Sequence, residues 1–377
     1  MSWGVYVHIP FCRSKCQYCD FASYAGREEM REAYVDALGI EMLVRGQEMV
    51  LKHGRPETVY VGGGTPTALN VEQLSSVVAL IKSVFGTAAE FTMEVNPGTV
   101  DGDLLKKLHE WGVNRLSIGI QSFDNNLLKR LGRIHTAEQA EEAVKLARAA
   151  GFDNLSLDLM YGLPGQTMED LQKSVKKALS LQPEHISIYG LQVEEGTPFY
   201  HDQQAGRLNL PESDVMDDMY DYLTEYLPEQ GYRRYEISNY AKPGKESRHN
   251  LSYWQDVPYL GLGAAAHSYM DGMRLENVAD LDEYISTIKS GRLPLRSEED
   301  PSEQHHMEEF AFLALRTAKG IDKKKFKDTF GKELRSVYGK KINRLVRQGL
   351  LKETKKNIAL TKEGAKIGNQ VFAEFLL

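Results

Sequence analysis

Thiols are scarce in this chain of 377 residues: it has three cysteines, all between positions 12 and 19. An odd number packed so closely excludes a disulfide framework. Long apolar runs are missing too, and none reaches the roughly 18–20 residues that span a bilayer. The opening Met1-Ser2-Trp3-Gly4-Val5 has no basic stretch followed by an apolar core, so no secretory signal is expected. Excess positive charge is also lacking: the formal net charge of −7 argues against wholesale coating of nucleic acid. These absences point to a reducing compartment, and the expected location is cytoplasmic. With 42% hydrophobic and 26% charged residues, the remainder has the composition of a globular protein large enough for more than one domain.

What is present is an alternation. Short apolar runs at 5–9, 58–61, 91–95, 115–120, 155–161 and 185–191 are rich in β-branched and aromatic residues, as buried strands are. Helical periodicity lies between them, for instance over 71–85, 103–111, 137–150 and 168–181. Six βα units in series predict an α/β fold: a parallel sheet with helices outside, two units short of a closed TIM-type barrel. This partial (βα)6 barrel is expected over 1–200. Over 201–298 the alternation breaks down into a connecting region with a helix at 212–229, a polar-aromatic stretch at 232–240, Gly261 and Gly263 within 253–273, and a helix at 281–290. Residues 299–377 read as helices at 303–317, 323–330 and 333–348, a two-stranded wing over 350–360 and a closing helix, the order of a small α+β winged-helix-like domain.

The cysteines follow the first strand directly, in Tyr6-Val7-His8-Ile9-Pro10-Phe11-Cys12 and onward through Cys16-Gln17-Tyr18-Cys19-Asp20-Phe21, spaced C-x3-C-x2-C. Three thiolates on one short loop can each take an iron of a cubane, leaving the fourth iron open to a chelating ligand. A zinc ion completed by His8 or another histidine is the plainer alternative. The second strand runs into Gly62-Gly63-Gly64-Thr65, where missing side chains let the backbone approach a ligand. Glu94, Gln121 and Asp158 each sit at or near the exit of an apolar strand, the end where parallel βα proteins build their sites.

C-x3-C-x2-C after a first strand is the signature of the radical S-adenosylmethionine (SAM) superfamily. The flanking HIPFC and YCDF resemble its coproporphyrinogen dehydrogenase (HemN) group and the related HemW branch of heme chaperones. The resemblance, over roughly 4–200, implies a 4Fe–4S cluster on Cys12, Cys16 and Cys19, with SAM chelating the open iron and being cleaved to a 5′-deoxyadenosyl radical. It further implies SAM contacts at Tyr6, Gly63, Gly64, Thr65, Glu94, Gln121, Arg133 and Asp158; the guanidinium of Arg133 suits a carboxylate.

Two departures separate the chain from coproporphyrinogen dehydrogenases: Phe21 stands where they carry a further cysteine, and the chain starts on its first strand rather than on an N-terminal extension. Instead, Arg248-His249-Asn250-Leu251-Ser252-Tyr253-Trp254 fits the H-N-x-x-Y-W pattern of the HemW branch. A neutral imidazole is a good heme ligand, and Tyr253 and Trp254 offer aromatic surface, so His249 is expected to contact heme, with His267 a further candidate. The resemblance thus implies a chaperone that binds heme and passes it to acceptor hemoproteins such as respiratory enzymes, some at the membrane surface. The rival is an oxygen-independent coproporphyrinogen III dehydrogenase, a radical SAM oxidative decarboxylation that the residue at Phe21 disfavours. A winged-helix regulator with an iron–sulfur sensor would use Lys323, Lys324, Lys325, Lys340, Lys341, Lys355 and Lys356. Interleaved Asp322, Asp328 and Glu333 make these a solvated face instead, and no nucleic-acid partner is expected. His305 and His306 are expected on a polar helix without a functional role.

Overall fold

The computed structural model describes residues 2–377. Strands β1 (Gly4–Ile9), β2 (Thr58–Gly63), β3 (Glu90–Val95), β4 (Arg115–Gln121), β5 (Leu155–Tyr161) and β6 (His185–Gly190) fall on the six apolar runs. They pair in parallel, in chain order. Buried on both faces, such strands are apolar nearly throughout rather than alternating. Helices Val71–Phe85, Ala137–Ala149 and Met168–Ser180 return between them, and each opens on a capping box: Asn70 with Gln73, Thr136 with Gln139, and Thr167 with Asp170. Each box satisfies amides that a bare helix end leaves unpaired.

The sheet continues past both ends of this series. Beyond β6, strands β7 (Arg233–Arg234) and β8 (Asn239–Ala241) add antiparallel. On the other side β9 (Tyr259–Leu262) lies parallel to β1, pairing Gly4 with Tyr259 and Val7 with Leu262. Strands β10 (His267–Met270), β11 (Met273–Asn277) and β12 (Leu295–Glu299) continue antiparallel from there. The result is a 12-stranded sheet in the order β12-β11-β10-β9-β1-β2-β3-β4-β5-β6-β8-β7. Residues 201–298 therefore flank the parallel strands on both edges and leave β1 an interior strand.

A buried polar cluster fastens that seam. Helix Arg31–Glu41 runs on through a π-helical turn at Met42–Gly46, and Arg45 Nη1 meets Glu41 Oε1 at 2.7 Å. Glu41 Oε2 accepts from Gly263 N at 2.8 Å and from the Tyr284 hydroxyl at 2.6 Å, while Arg45 donates to Asn277 Oδ1 at 3.1 Å. A buried ion pair is tolerable when its remaining hydrogen-bonding capacity is filled, as it is here.

The C-terminal domain comprises helix Glu303–Leu315, β13 (Ile321–Asp322), helices Lys323–Phe330 and Leu334–Arg347, β14 (Leu351–Glu353), β15 (Asn357–Leu360) and two short closing helices. Its sheet runs β13-β15-β14, as in a winged helix. Phe310, Phe326, Tyr338, Ile342 and Phe375 form its own core, which Tyr220 of helix Ser213–Glu229 joins from outside. His306 is not on an open polar face: its Nε2 lies 2.9 Å from Asp256 Oδ2 and 3.1 Å from the Tyr269 hydroxyl. Among the described residues no helix is long and apolar enough to cross a membrane.

Candidate functional site

β1 and β2 deliver the cysteine loop and the glycine run to the same end of the sheet. Gly64 N donates to Ile9 O at 2.9 Å and Thr65 N to Phe11 O at 2.8 Å. A Cβ at Gly64 would stand 2.7 Å from Phe11 O; at Gly63, where φ is +110°, it would stand 2.4 Å from the His8 ring. Glycine is needed here so that the two loops can lie against each other.

A cavity of about 930 Å³ opens at this end of the sheet. Cys12, Cys16 and Cys19 all line it, as do Gly63, Gly64, Thr65, Glu94, Gln121, Arg133 and Asp158. The expected site thus comes together from the exits of β1 to β4, the loop after helix Asn125–Arg130, and the middle of β5, where Asp158 sits short of the strand exit at which it was expected. Tyr6 and His249 are the exceptions. Tyr6 turns its hydroxyl to His8 Nδ1 at 2.8 Å, and neither ring is part of the cavity wall.

His249 is fully buried. Its Nδ1 is 2.8 Å from Thr58 Oγ1, its Nε2 is 2.8 Å from the Tyr253 hydroxyl, and its ring stacks on Tyr60. The heme contact expected at His249 finds no free nitrogen: both are engaged in packing β2 against helix Arg248–Trp254. The next residue, Asn250, is the part of that motif which reaches the cavity. His267 is exposed on β10 and lies outside the cavity wall.

Burial sets the electrostatics of the site. It pushes the Glu94 carboxyl up to about 7, although Glu94 accepts from the Tyr60 hydroxyl at 2.7 Å and Gly63 N at 3.1 Å. Burial also raises Asp158, which accepts from Ser117 Oγ at 3.1 and 3.0 Å. Gln121 adopts φ of 69° where the β4–β5 register shifts, strain of a kind found at binding sites. Arg133 donates to Gly119 O at 2.5 Å and to Cys16 Sγ at 3.4 Å, and its buried Nε has no partner.

These residues fit an iron–sulfur cluster better than a zinc ion. Three thiols with no further donor suit three corners of a cubane. Among the described residues, no three His, Cys, Asp or Glu side chains are spaced to hold one metal ion. His8, one of the histidines that could complete the alternative zinc site, has both nitrogens engaged, with Nε2 2.8 Å from Ala22 O. Burial raises the Cys12 and Cys19 thiols, so a bound metal would have to supply the charge that makes them thiolates.

The cavity extends beyond the expected residues. Its wall also carries Tyr161, Tyr189, Met216 and Tyr240, with Arg316 and Lys366 of the C-terminal domain. Nothing in the sequence singles these out: the tyrosines read as strand or helix residues, and Arg316 as the end of a helix.

The Radical SAM superfamily profile matches residues 6–178, and the HemN C-terminal domain profile matches residues 302–366. Heme chaperone HemW of Bacillus subtilis (strain 168) is 40% identical over 378 residues, 99% of each chain. The chain belongs to the HemW family. HemW of Lactococcus lactis subsp. lactis (strain IL1403) is 38% identical over 99% of this chain and 97% of its own. HemW of Escherichia coli (strain K12) is 40% identical over 70% of this chain and 69% of its own. Coproporphyrinogen III oxidase (HemN) from Escherichia coli, described as a radical SAM enzyme, superposes with a TM-score of 0.86 at 24% identity, covering 100% of this chain and 90% of that one. That likeness is one of fold, and it extends through the C-terminal domain of this HemW-family chain.

Proposed function

We propose that this chain is a cytoplasmic heme chaperone, carrying a 4Fe–4S cluster on Cys12, Cys16 and Cys19 with exchangeable SAM beside it. It passes heme to acceptor hemoproteins, respiratory enzymes at the membrane surface among them. The observation that carries the reading is the mixed lining of one cavity: thiols, glycines and carboxylates together with tyrosines and C-terminal-domain cations. At about 930 Å³ it lies near the top of the range for small-molecule sites, which favours more than one occupant. In this reading Gly63, Gly64 and Thr65 offer backbone to the methionine moiety, Glu94 accepts from its amino group, and Arg133 receives its carboxylate. Gln121 and Asp158 hold the rest of SAM. Tyr6 acts from beneath, through His8. When bound, the cluster supplies the electron that cleaves the sulfonium of SAM. The family names of the relatives support the heme half of the proposal.

Phe21 favours binding over decarboxylation. It is 63% exposed at the cavity rim and has no thiol to offer where coproporphyrinogen dehydrogenases carry one. The test is anaerobic reconstitution with iron and sulfide, followed by a heme titration and a coproporphyrinogen turnover assay run side by side. The expected result is a saturable Soret change without decarboxylation, with Cys16→Ser losing the cluster absorbance. Turnover without heme binding would overturn the chaperone reading in favour of the dehydrogenase.

A further inference from the structure

Two guanidiniums line the cavity without a carboxylate partner, one beside the cysteines and one in the C-terminal domain. Arg133 is the one beside the cysteines. Arg316 caps helix Glu303–Leu315 in the C-terminal domain. Arg316 lies 4.6 Å over the Trp254 ring and 5.8 Å from the Phe372 ring, held between two aromatic faces. Its Nε is buried without a hydrogen-bond partner, and so is Nε1 of Trp254 beneath it. Its guanidinium makes no hydrogen bond or ion pair to any described residue.

The neighbouring charges do not fill this gap. Glu236 is the nearby carboxylate, but its Oε1 accepts from Ser238 N at 2.9 Å and it lies outside ion-pair distance of Arg316. Lys366, the other cation on this wall, is paired with Asp221 at 3.0 Å. Burial lowers the basicity of Arg316, as expected of a charge that is desolvated and under-compensated. Buried donors are almost always satisfied, so the unpaired Nε of Arg316 on the cavity wall leaves room for an acceptor from outside the chain. A guanidinium fork matches a carboxylate, and Arg316 faces the cavity that the proposed function gives to a porphyrin.

We propose that Arg316 is the carboxylate-binding residue for porphyrin in the cavity, receiving one propionate while Trp254 holds its guanidinium in place. This rests on the heme reading and adds a specificity to it: the free acid should be preferred over its ester. It also gives the tryptophan of the H-N-x-x-Y-W segment a role as a shelf beneath the arginine.

The test compares hemin with hemin dimethyl ester, titrated into the full-length, cluster-reconstituted protein in dilute detergent and read at the Soret band. The wild type is expected to bind the free acid more tightly by roughly 10- to 100-fold, the range for a hydrogen bond to a charged group. Arg316→Gln should lose that preference by weakening the acid and leaving the ester unchanged. Arg316→Lys keeps the charge and loses the fork, so its ratio should fall part of the way; it carries the test if the glutamine variant does not fold. If the wild type binds both porphyrins and both variants keep its acid-to-ester ratio, the Arg316 assignment is overturned while heme binding stands. If the wild type binds neither porphyrin, the heme reading fails and this proposal fails with it.

Discussion

Gly64→Ala tests how the site is assembled. The backbone at Gly64 is not in the left-handed region, so alanine meets no conformational penalty there and the obstacle is purely steric. The new methyl would stand 2.7 Å from Phe11 O and 3.0 Å from Ile9 O. Both are main-chain atoms, and neither can rotate away. Relief requires the cysteine loop to move off β2, which weakens the bonds from Gly64 N to Ile9 O and from Thr65 N to Phe11 O. Two such bonds contribute about 1 kcal/mol each. Overpacking a tight contact adds roughly 1–3 kcal/mol, so the expected loss is about 3–5 kcal/mol. Guanidinium unfolding of the ligand-free protein followed by tryptophan fluorescence measures that loss, and iron and sulfide content after reconstitution measures its effect on the cluster. Gly339→Ala is the control. It lies in helix Leu334–Arg347, where a Cβ meets nothing nearer than Arg335 Cβ at 3.9 Å, and it should stabilise by about 0.5–1 kcal/mol. A Gly64→Ala protein within about 0.5 kcal/mol of wild type and with full iron content would refute the steric argument.

Two other perturbations follow from burial. Glu94 titrates at about 7 when folded against an ordinary 4.5, so between those values the native state holds more protons than the unfolded chain. Stability should therefore fall as pH rises from about 4.5 to about 7 and level off above, and Glu94→Gln should remove that share of the slope; parallel slopes for the two proteins would show that Glu94 does not carry it. His249→Ala leaves Thr58 Oγ1 and the Tyr253 hydroxyl without their buried partner and opens a cavity beside Tyr60. It should cost about 2–4 kcal/mol in unfolding experiments while leaving the Soret position of any bound heme unchanged; a shifted Soret band on a fully stable variant would restore His249 as a ligand.

The parallel strands were legible because burial on both faces forces a continuous apolar run, and each observed strand lies within two residues of its run at either end. The cavity residues at the strand exits were legible for the same reason: once the strands are placed, Glu94 and Gln121 fall at one end, whereas Asp158 lines the cavity from the middle of β5. The edges were not. β7 and β8 are two and three residues long, and β9 pairs with β1 across more than 250 positions, so neither leaves a periodic signal. His249 was ambiguous because a histidine next to two aromatics reads alike whether its nitrogens face a ligand or a threonine and a tyrosine. Arg316 left no trace because exposure, not residue type, distinguishes it from any arginine that ends a helix.

β1 has one neighbour that follows it closely in the chain and one that follows it from far away. Its pairing with β2 becomes available early, but its other edge waits for residues 259–262, and the Glu41–Arg45 cluster waits for Gly263, Asn277 and Tyr284. At about 5–20 residues per second, the roughly 200 residues between those events take about 10–40 s to leave the ribosome. Throughout that interval the strand carrying the cysteine loop has one bare edge, a row of unpaired backbone groups open to another chain. Chains that stop short of residue 259 should therefore associate through that edge rather than fold.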